Sequence, residues 1–108
     1  MNLLTEAEEQ VMLKLWKLGN ASAKEVLDQS HDDPPAYNTV STIIRILEKK
    51  KFIKHRKKGK KYIYYPKMDM MTYRQMLIRR MARDYFQDDY LSFASAINSA
   101  RPLEDIIQ

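Results

Sequence analysis

Cysteine is absent from the 108-residue chain, which excludes disulfides, a thiolate metal site and a thiol nucleophile. Glycine occurs only twice, too rarely for a phosphate-cradling glycine loop. No apolar run approaches the roughly 20 residues of a membrane-spanning helix, and no charged-then-apolar leader opens the chain. The expectation is a cytoplasmic protein with no membrane partner. Apart from one lysine-rich stretch, no repeat or low-complexity segment is found. Acidic residues are missing from that stretch, "KKKFIKHRKKGKK", residues 49–61, where nine of thirteen side chains are Lys or Arg.

The net charge of +5 is therefore unevenly spread. Residues 1–44 carry −4, residues 45–68 carry +10 and residues 69–108 carry −1. Like charges so crowded repel one another and cost stability. A basic patch beside acidic neighbours implies a directed anionic partner rather than general adhesion.

What is present reads first as helix. In "TEAEEQVMLKLWKLG", Thr5 and Glu8 form a capping box, and Val11, Leu15 and Leu18 share a face with Met12 and Trp16 beside them. Gly19 supplies the left-handed residue that ends it. Ser22 and Glu25 repeat the box for a short second helix with Val26 and Leu27 inward. Two prolines, Pro34 and Pro35, break the chain and lead into a third helix. Its apolar face is Val40, Ile43, Ile44 and Leu47. Its polar face is Asn38, Thr42, Arg45 and Lys49, with Thr39 and Ser41 on the flanks. Serine and threonine are mediocre helix formers, so their density on an outward face suits hydrogen bonding to a ligand.

The periodicity then changes. "FIKHRKKGKKYIYYP" predicts a hairpin with strands near residues 52–57 and 61–65, turning at Gly59. Its ends can pack through Phe52, Ile53, Ile63 and the tyrosines, whereas its cationic tip has nothing apolar to meet. After Pro66 helices return. Met70 leads into a stripe of Tyr73, Leu77, Met81 and Tyr85. A second segment starts at an aspartate cap and directs Leu91, Ala94 and Ile97 inward. Pro102 ends it, with a last turn over "LEDII".

The expected fold class is mostly α with a small β-hairpin. It is a winged helix-turn-helix domain, residues 1–68, followed by a C-terminal helical dimerisation tail, residues 69–108. A helix with one polar face fits the DNA major groove, and a cationic hairpin beside the duplex meets phosphates, giving salt-sensitive affinity. Arg45 suits a guanine edge, a backbone phosphate being the equal alternative. Asn38 suits adenine or backbone. Thr39, Ser41 and Thr42 suit phosphates or a thymine methyl. Lys49, Arg56, Lys57, Lys58, Lys60 and Lys61 suit phosphates.

"LTEAEEQVMLKLWKLGNASAKEVLDQ", "YNTVSTIIRILEKKKFIKHRKKGKKYIYYP" and the helical tail resemble the penicillinase-repressor family of bacterial transcriptional regulators. The T-V-x-T-x-x-x-x-L-x-K-K run from Thr39 to Lys50, followed by the basic, tyrosine-ending hairpin, carries most of the likeness. The resemblance implies a homodimer that blocks promoters by binding a palindromic double-stranded DNA operator, with the C-terminal helices as the dimer contact. Tyr73, Leu77, Met81, Tyr85, Leu91, Ala94 and Ile97 are the residues expected there. Two branch features of the family are missing. The tail has no Asn-Phe pair, at which members of the β-lactam branch are cleaved, and no cysteine cluster, which the copper-responsive branch uses. An upstream sensor or protease is left unidentified.

Other chemistry is not expected. The adjacent His31, Asp32 and Asp33 point in different directions and read as loop and cap rather than metal ligands. Asp88 and Asp89 read as a cap, with no partner base or nucleophile in view. The expectation is no catalytic residue, no metal and no cofactor, hence no enzyme. The competing reading is a winged-helix module that binds an acidic protein. A ligand-sensing regulator is a variant of the DNA-binding one.

Overall fold

The computed structural model describes residues 3–29 and 36–100. The twin prolines, the His31–Asp33 segment, Pro102 and the "LEDII" turn lie outside them. The elements are α1 (Glu6–Leu18), α2 (Ala23–Asp28), α3 (Tyr37–Lys49), β1 (Ile53–Lys58), β2 (Lys61–Pro66), α4 (Met70–Phe86) and α5 (Tyr90–Ser99). The chain divides after Thr72 into two compact units.

The first unit starts as its caps dictate. The Thr5 side chain accepts the Glu8 amide, and the Glu8 carboxylate accepts the Thr5 amide at 2.9 Å. Ser22 and Glu25 do the same for α2. Gly19 ends α1 at φ 82°, its amide donating to the Leu15 carbonyl at 2.8 Å. The core gathers Val11, Met12 and Leu15 from α1, Val26 from α2 and Val40, Ile44 and Leu47 from α3, closed by Phe52, Ile53 and Ile63 from the hairpin. Ile43, expected in this core, is only half-buried. It lies at the edge of the stripe because the inward arc centres on Val40, Ile44 and Leu47. The Trp16 indole N–H donates to the Met68 carbonyl at 2.8 Å, tying α1 to the chain beyond the hairpin.

Helix α3 turns into β1 through a Schellman motif. The Phe52 amide donates to the Leu47 carbonyl and the Lys51 amide to that of Glu48, both at 3.0 Å. Lys51 takes the left-handed conformation this requires, φ 68°, where glycine is usual. Phe52 and Leu47, the two positions whose apolar side chains accompany such a motif, are both fully buried.

Strands β1 and β2 pair antiparallel, with Ile53 opposite Pro66 and Lys58 opposite Lys61. Each strand ends one residue beyond the sequence expectation, because the register leaves a two-residue loop. Gly59 occupies its first position at φ 63°, which a two-residue hairpin favours. A feature absent from the sequence reading is a single bridge between Ala21 and Tyr64, with amide–carbonyl distances of 2.9 and 2.8 Å. It fixes the α1–α2 connection against β2.

In the second unit Gln87 and Asp88 adopt φ 47° and 63° and turn the chain between α4 and α5. Asp89 caps α5, its carboxylate accepting the Ser92 amide at 3.1 Å and the Ser92 hydroxyl at 2.8 Å. The inward residue of α5 is Phe93, whose ring stacks on that of Phe86 with centroids 4.9 Å apart. Leu91, Ala94 and Ile97, expected inward, are exposed instead. With Phe93 inward, Leu91 falls on the opposite side of α5 and Ala94 about 100° round, whereas Ile97 shares the Phe93 side and is exposed nonetheless.

Candidate nucleic-acid interface

On α3 the buried residues Val40, Ile44 and Leu47 define the inward side, and at 100° per residue the rest of the helix falls into two useful rows. Asn38, Thr42 and Lys49 stand opposite the core and are exposed. Tyr37, Ser41 and Arg45 form a second row at four-residue spacing, which slants from beside the core at Tyr37 to within about 20° of Asn38 at Arg45; Tyr37 and Arg45 are exposed and Ser41 half-buried. Thr39 is exposed on the other flank beside Ile46, which leaves 40% of its surface to solvent.

Two of these polar side chains are already engaged. The Thr42 hydroxyl donates to the Asn38 carbonyl at 2.8 Å. The Arg45 Nε donates back to the Ser41 carbonyl at 3.4 Å. A threonine hydroxyl has one proton, so Thr42 as placed offers outward only acceptor lone pairs and its methyl group.

Arg56, Lys57, Lys58, Lys60 and Lys61 are all exposed on the hairpin. Lys54 and Lys51, outside the expected set, are exposed in the same way. Lys50 is not part of this array. Its ammonium reaches both oxygens of the buried Glu8, at 2.9 and 2.8 Å. Burial of the Glu8 carboxyl acts to raise its pKa, but hydrogen bonds from Lys50 and Thr5 with the Lys50 charge outweigh it, and the pKa is lowered.

Helix α3 and the hairpin are also joined directly. The His55 Nδ1 lies against the Glu48 carboxylate, and the imidazole meets Tyr62 edge-on with centroids 4.9 Å apart and Tyr64 at 5.9 Å. The Tyr64 phenol is half-buried. Its pKa is raised, first by burial and then by the Glu48 charge, with Arg45 near enough to oppose the rise.

Between α2, α3 and the hairpin lies a cleft of about 600 Å³, with Tyr37, Ser41 and Arg45 on one wall and Lys60, Lys61 and Tyr62 on another. The structure thus brings the wing-side row of α3 and two hairpin lysines to one opening. Asn38, Thr42 and Lys49 look directly outward beside it. Tyr37 was not singled out in the sequence. Its spacing of four from Ser41 and eight from Arg45 is the signal that could have found it. Among the described residues no cluster of His, Asp or Glu could hold a metal ion, and no helix is long and apolar enough to cross a membrane.

In the second unit Tyr73 is buried within the single chain, Leu77 is half-buried, and Met81, Tyr85, Leu91, Ala94 and Ile97 are exposed.

Comparison with known proteins places this geometry. The solution structure of the DNA-binding domain of the repressor BlaI aligns with 29% identity and a TM-score of 0.57, over 62% of this chain and 83% of that one. The CopR repressor structure aligns with 33% identity and a TM-score of 0.53, over 64% of this chain and all of the other. No curated protein matches. The family model for the penicillinase repressor matches residues 4–105, and the chain accordingly belongs to the penicillinase repressor family.

Proposed function

We propose that this protein is a dimeric, sequence-specific DNA-binding transcriptional repressor that acts on a palindromic operator. Helix α3 enters the major groove with Asn38, Thr39, Ser41, Thr42, Arg45 and Lys49 toward the DNA. The hairpin, the wing of the fold, sets Arg56, Lys57, Lys58, Lys60 and Lys61 on phosphates. DNA binding belongs to residues 1–68 and the dimer contact to residues 69–108.

One observation carries the reading: Tyr37, Ser41 and Arg45 of α3 and Lys60 and Lys61 of the cationic hairpin line a single cleft. Two isolated charge runs would not need to share an opening. The groove is wide enough for a helix, and cations on a hairpin next to that helix lie where the bounding phosphate strand runs. Membership of a repressor family and the likeness to a repressor's DNA-binding domain support the same partner.

The test is selection of bound duplexes from a random pool with the full chain, followed by sequencing. The expected return is an inverted repeat with half-sites about one or two helical turns apart. A pool that remains random after enrichment would remove sequence specificity from the proposal. A single asymmetric site would remove the palindrome.

A further inference from the structure

Arg45 is the residue of α3 whose chemistry best suits a guanine edge, yet it lines the cleft between α3 and the hairpin. Resting on the DNA-binding reading above, we propose that the α3–hairpin cleft is a seat for one phosphodiester strand. Tyr37 and Arg45 hold that strand from the helix side, and base discrimination rests on Asn38 and Thr42.

The first ground is direction. Tyr37, Ser41 and Arg45 line the cleft together with the hairpin's Lys60 and Lys61, whereas Asn38 and Thr42, on the side of α3 away from the core, lie outside its lining. A helix lying in the major groove points its outermost side at the base edges. The strand that bounds the groove passes along its flank, between helix and hairpin. The second ground is position along the helix. Recognition helices meet base edges chiefly through their N-terminal residues. Arg45 lies two turns beyond Tyr37, the first residue of α3. The third ground is hydrogen-bonding inventory. The Arg45 Nε is tied back to the Ser41 carbonyl, and Arg45 lies near enough to the Tyr64 phenol to affect its ionisation. The Nε bond turns one donor back to the helix and leaves four guanidinium N–H groups for an anion. Thr42, with its proton given to Asn38, presents an acceptor and a methyl. That pair suits a base amino group or a thymine methyl and is useless to a phosphate, which has no proton to give.

The cleft also has an acidic wall, which limits where the strand sits. Glu25 and Asp28 line its α2 side. The Glu25 carboxylate is held by the Ser22 amide and lies near Lys61 and Lys58. Phosphates are therefore excluded from the α2 end and seated between Tyr37, Arg45 and the hairpin. Tyr37, half exposed with a phenolic donor, reaches an anion there without a charge of its own.

The experiment uses the full chain and two duplexes, one selected from the random pool and one scrambled. Affinity is read by fluorescence anisotropy across a salt series, with circular dichroism to confirm folding. Arg45→Ala is expected to weaken both duplexes by the same factor and to lower the salt slope by about 1. Arg45→Lys, which keeps the charge but not the two-pronged geometry, is expected to retain most binding and all discrimination. Tyr37→Phe should weaken both duplexes equally with the slope unchanged. Asn38→Ala and Thr42→Val should leave scrambled binding intact and cut the selected-to-scrambled ratio about tenfold. If Arg45→Lys flattens discrimination at one base pair while scrambled binding holds, Arg45 reads a base and the proposal is overturned. If the unmodified chain binds neither duplex at low salt, the DNA-binding reading itself is lost, an outcome no variant can mimic.

Discussion

Glu25 occupies a double position. It closes the capping box of α2 through Ser22, and it lines the same cleft as Lys60 and Lys61, the charges of Lys61 and Lys58 helping to lower its pKa. In the free protein it partly neutralises the cations that are proposed to meet phosphate. Glutamine serves equally well at the third position of a capping box, so Glu25→Gln removes the charge and keeps the helix start. The expected result is tighter binding to every duplex, by about threefold at low ionic strength, the gain fading as salt screens it. Anisotropy titrations with a scrambled duplex check it; unchanged affinity would mean that the carboxylate lies outside the phosphate path. Glu8 supports the structure instead. Its pKa is lowered by the Lys50 and Thr5 hydrogen bonds against the opposing effect of burial. A carboxyl depressed on folding contributes stability above its unfolded pKa, and that contribution is lost as pH falls through the lower folded value. Glu8→Gln should therefore cost about 1.5 kcal/mol at neutral pH, with the gap to the unmodified chain closing in acid. Urea denaturation at pH 7 and again well below the carboxylate range measures both.

Among the elements, the junction of α3 with β1 is the most constrained. Lys51 holds a left-handed conformation that a side chain disfavours, because the Schellman bonds to Leu47 and Glu48 and the buried pair Leu47–Phe52 over-determine it. Lys51→Gly removes the strain but loosens the unfolded chain. The net expectation is a gain of about 0.5–1 kcal/mol, read as a higher melting temperature with an unchanged circular dichroism spectrum. The capping boxes, the α3 stripe and the glycine turn were legible in the sequence because each is a local pattern of spacing and residue type. The rotation of α5 was not, since Leu91 and Ala94 look as apolar as Phe93 until the Phe86 stack decides between them. Nor was the role of Lys50. One lysine among many in sequence, it is set apart only by Glu8, 42 positions away. The site divides in the same way. Its cations were visible as composition, whereas the placement of Tyr37 and the turning of Arg45 into the cleft depend on where the hairpin folds back.

For the whole molecule what matters is how many copies act together. Tyr85, Leu91 and Ile97 expose 71%, 86% and 59% of their surface, and a unit this small buries too little on its own to leave such side chains idle without reason. In the proposed dimer these residues cover one another, and two copies of α3 are held in two-fold relation. The operator then gains by effective concentration: once one half-site is filled, the second binds as if intramolecular. Leu91→Glu and Tyr85→Glu place a charge in the proposed seam and change no residue of the first unit. Sedimentation equilibrium should show a dimer for the unmodified chain and a monomer for the double variant. Affinity for a single half-site should be unaltered, while affinity for the full inverted repeat should fall about a hundredfold. That comparison separates the seam from the reading surface, because damage to α3 or the wing lowers both affinities together. A double variant that stays dimeric and holds the full repeat as tightly would place the contact on some other face of the chain.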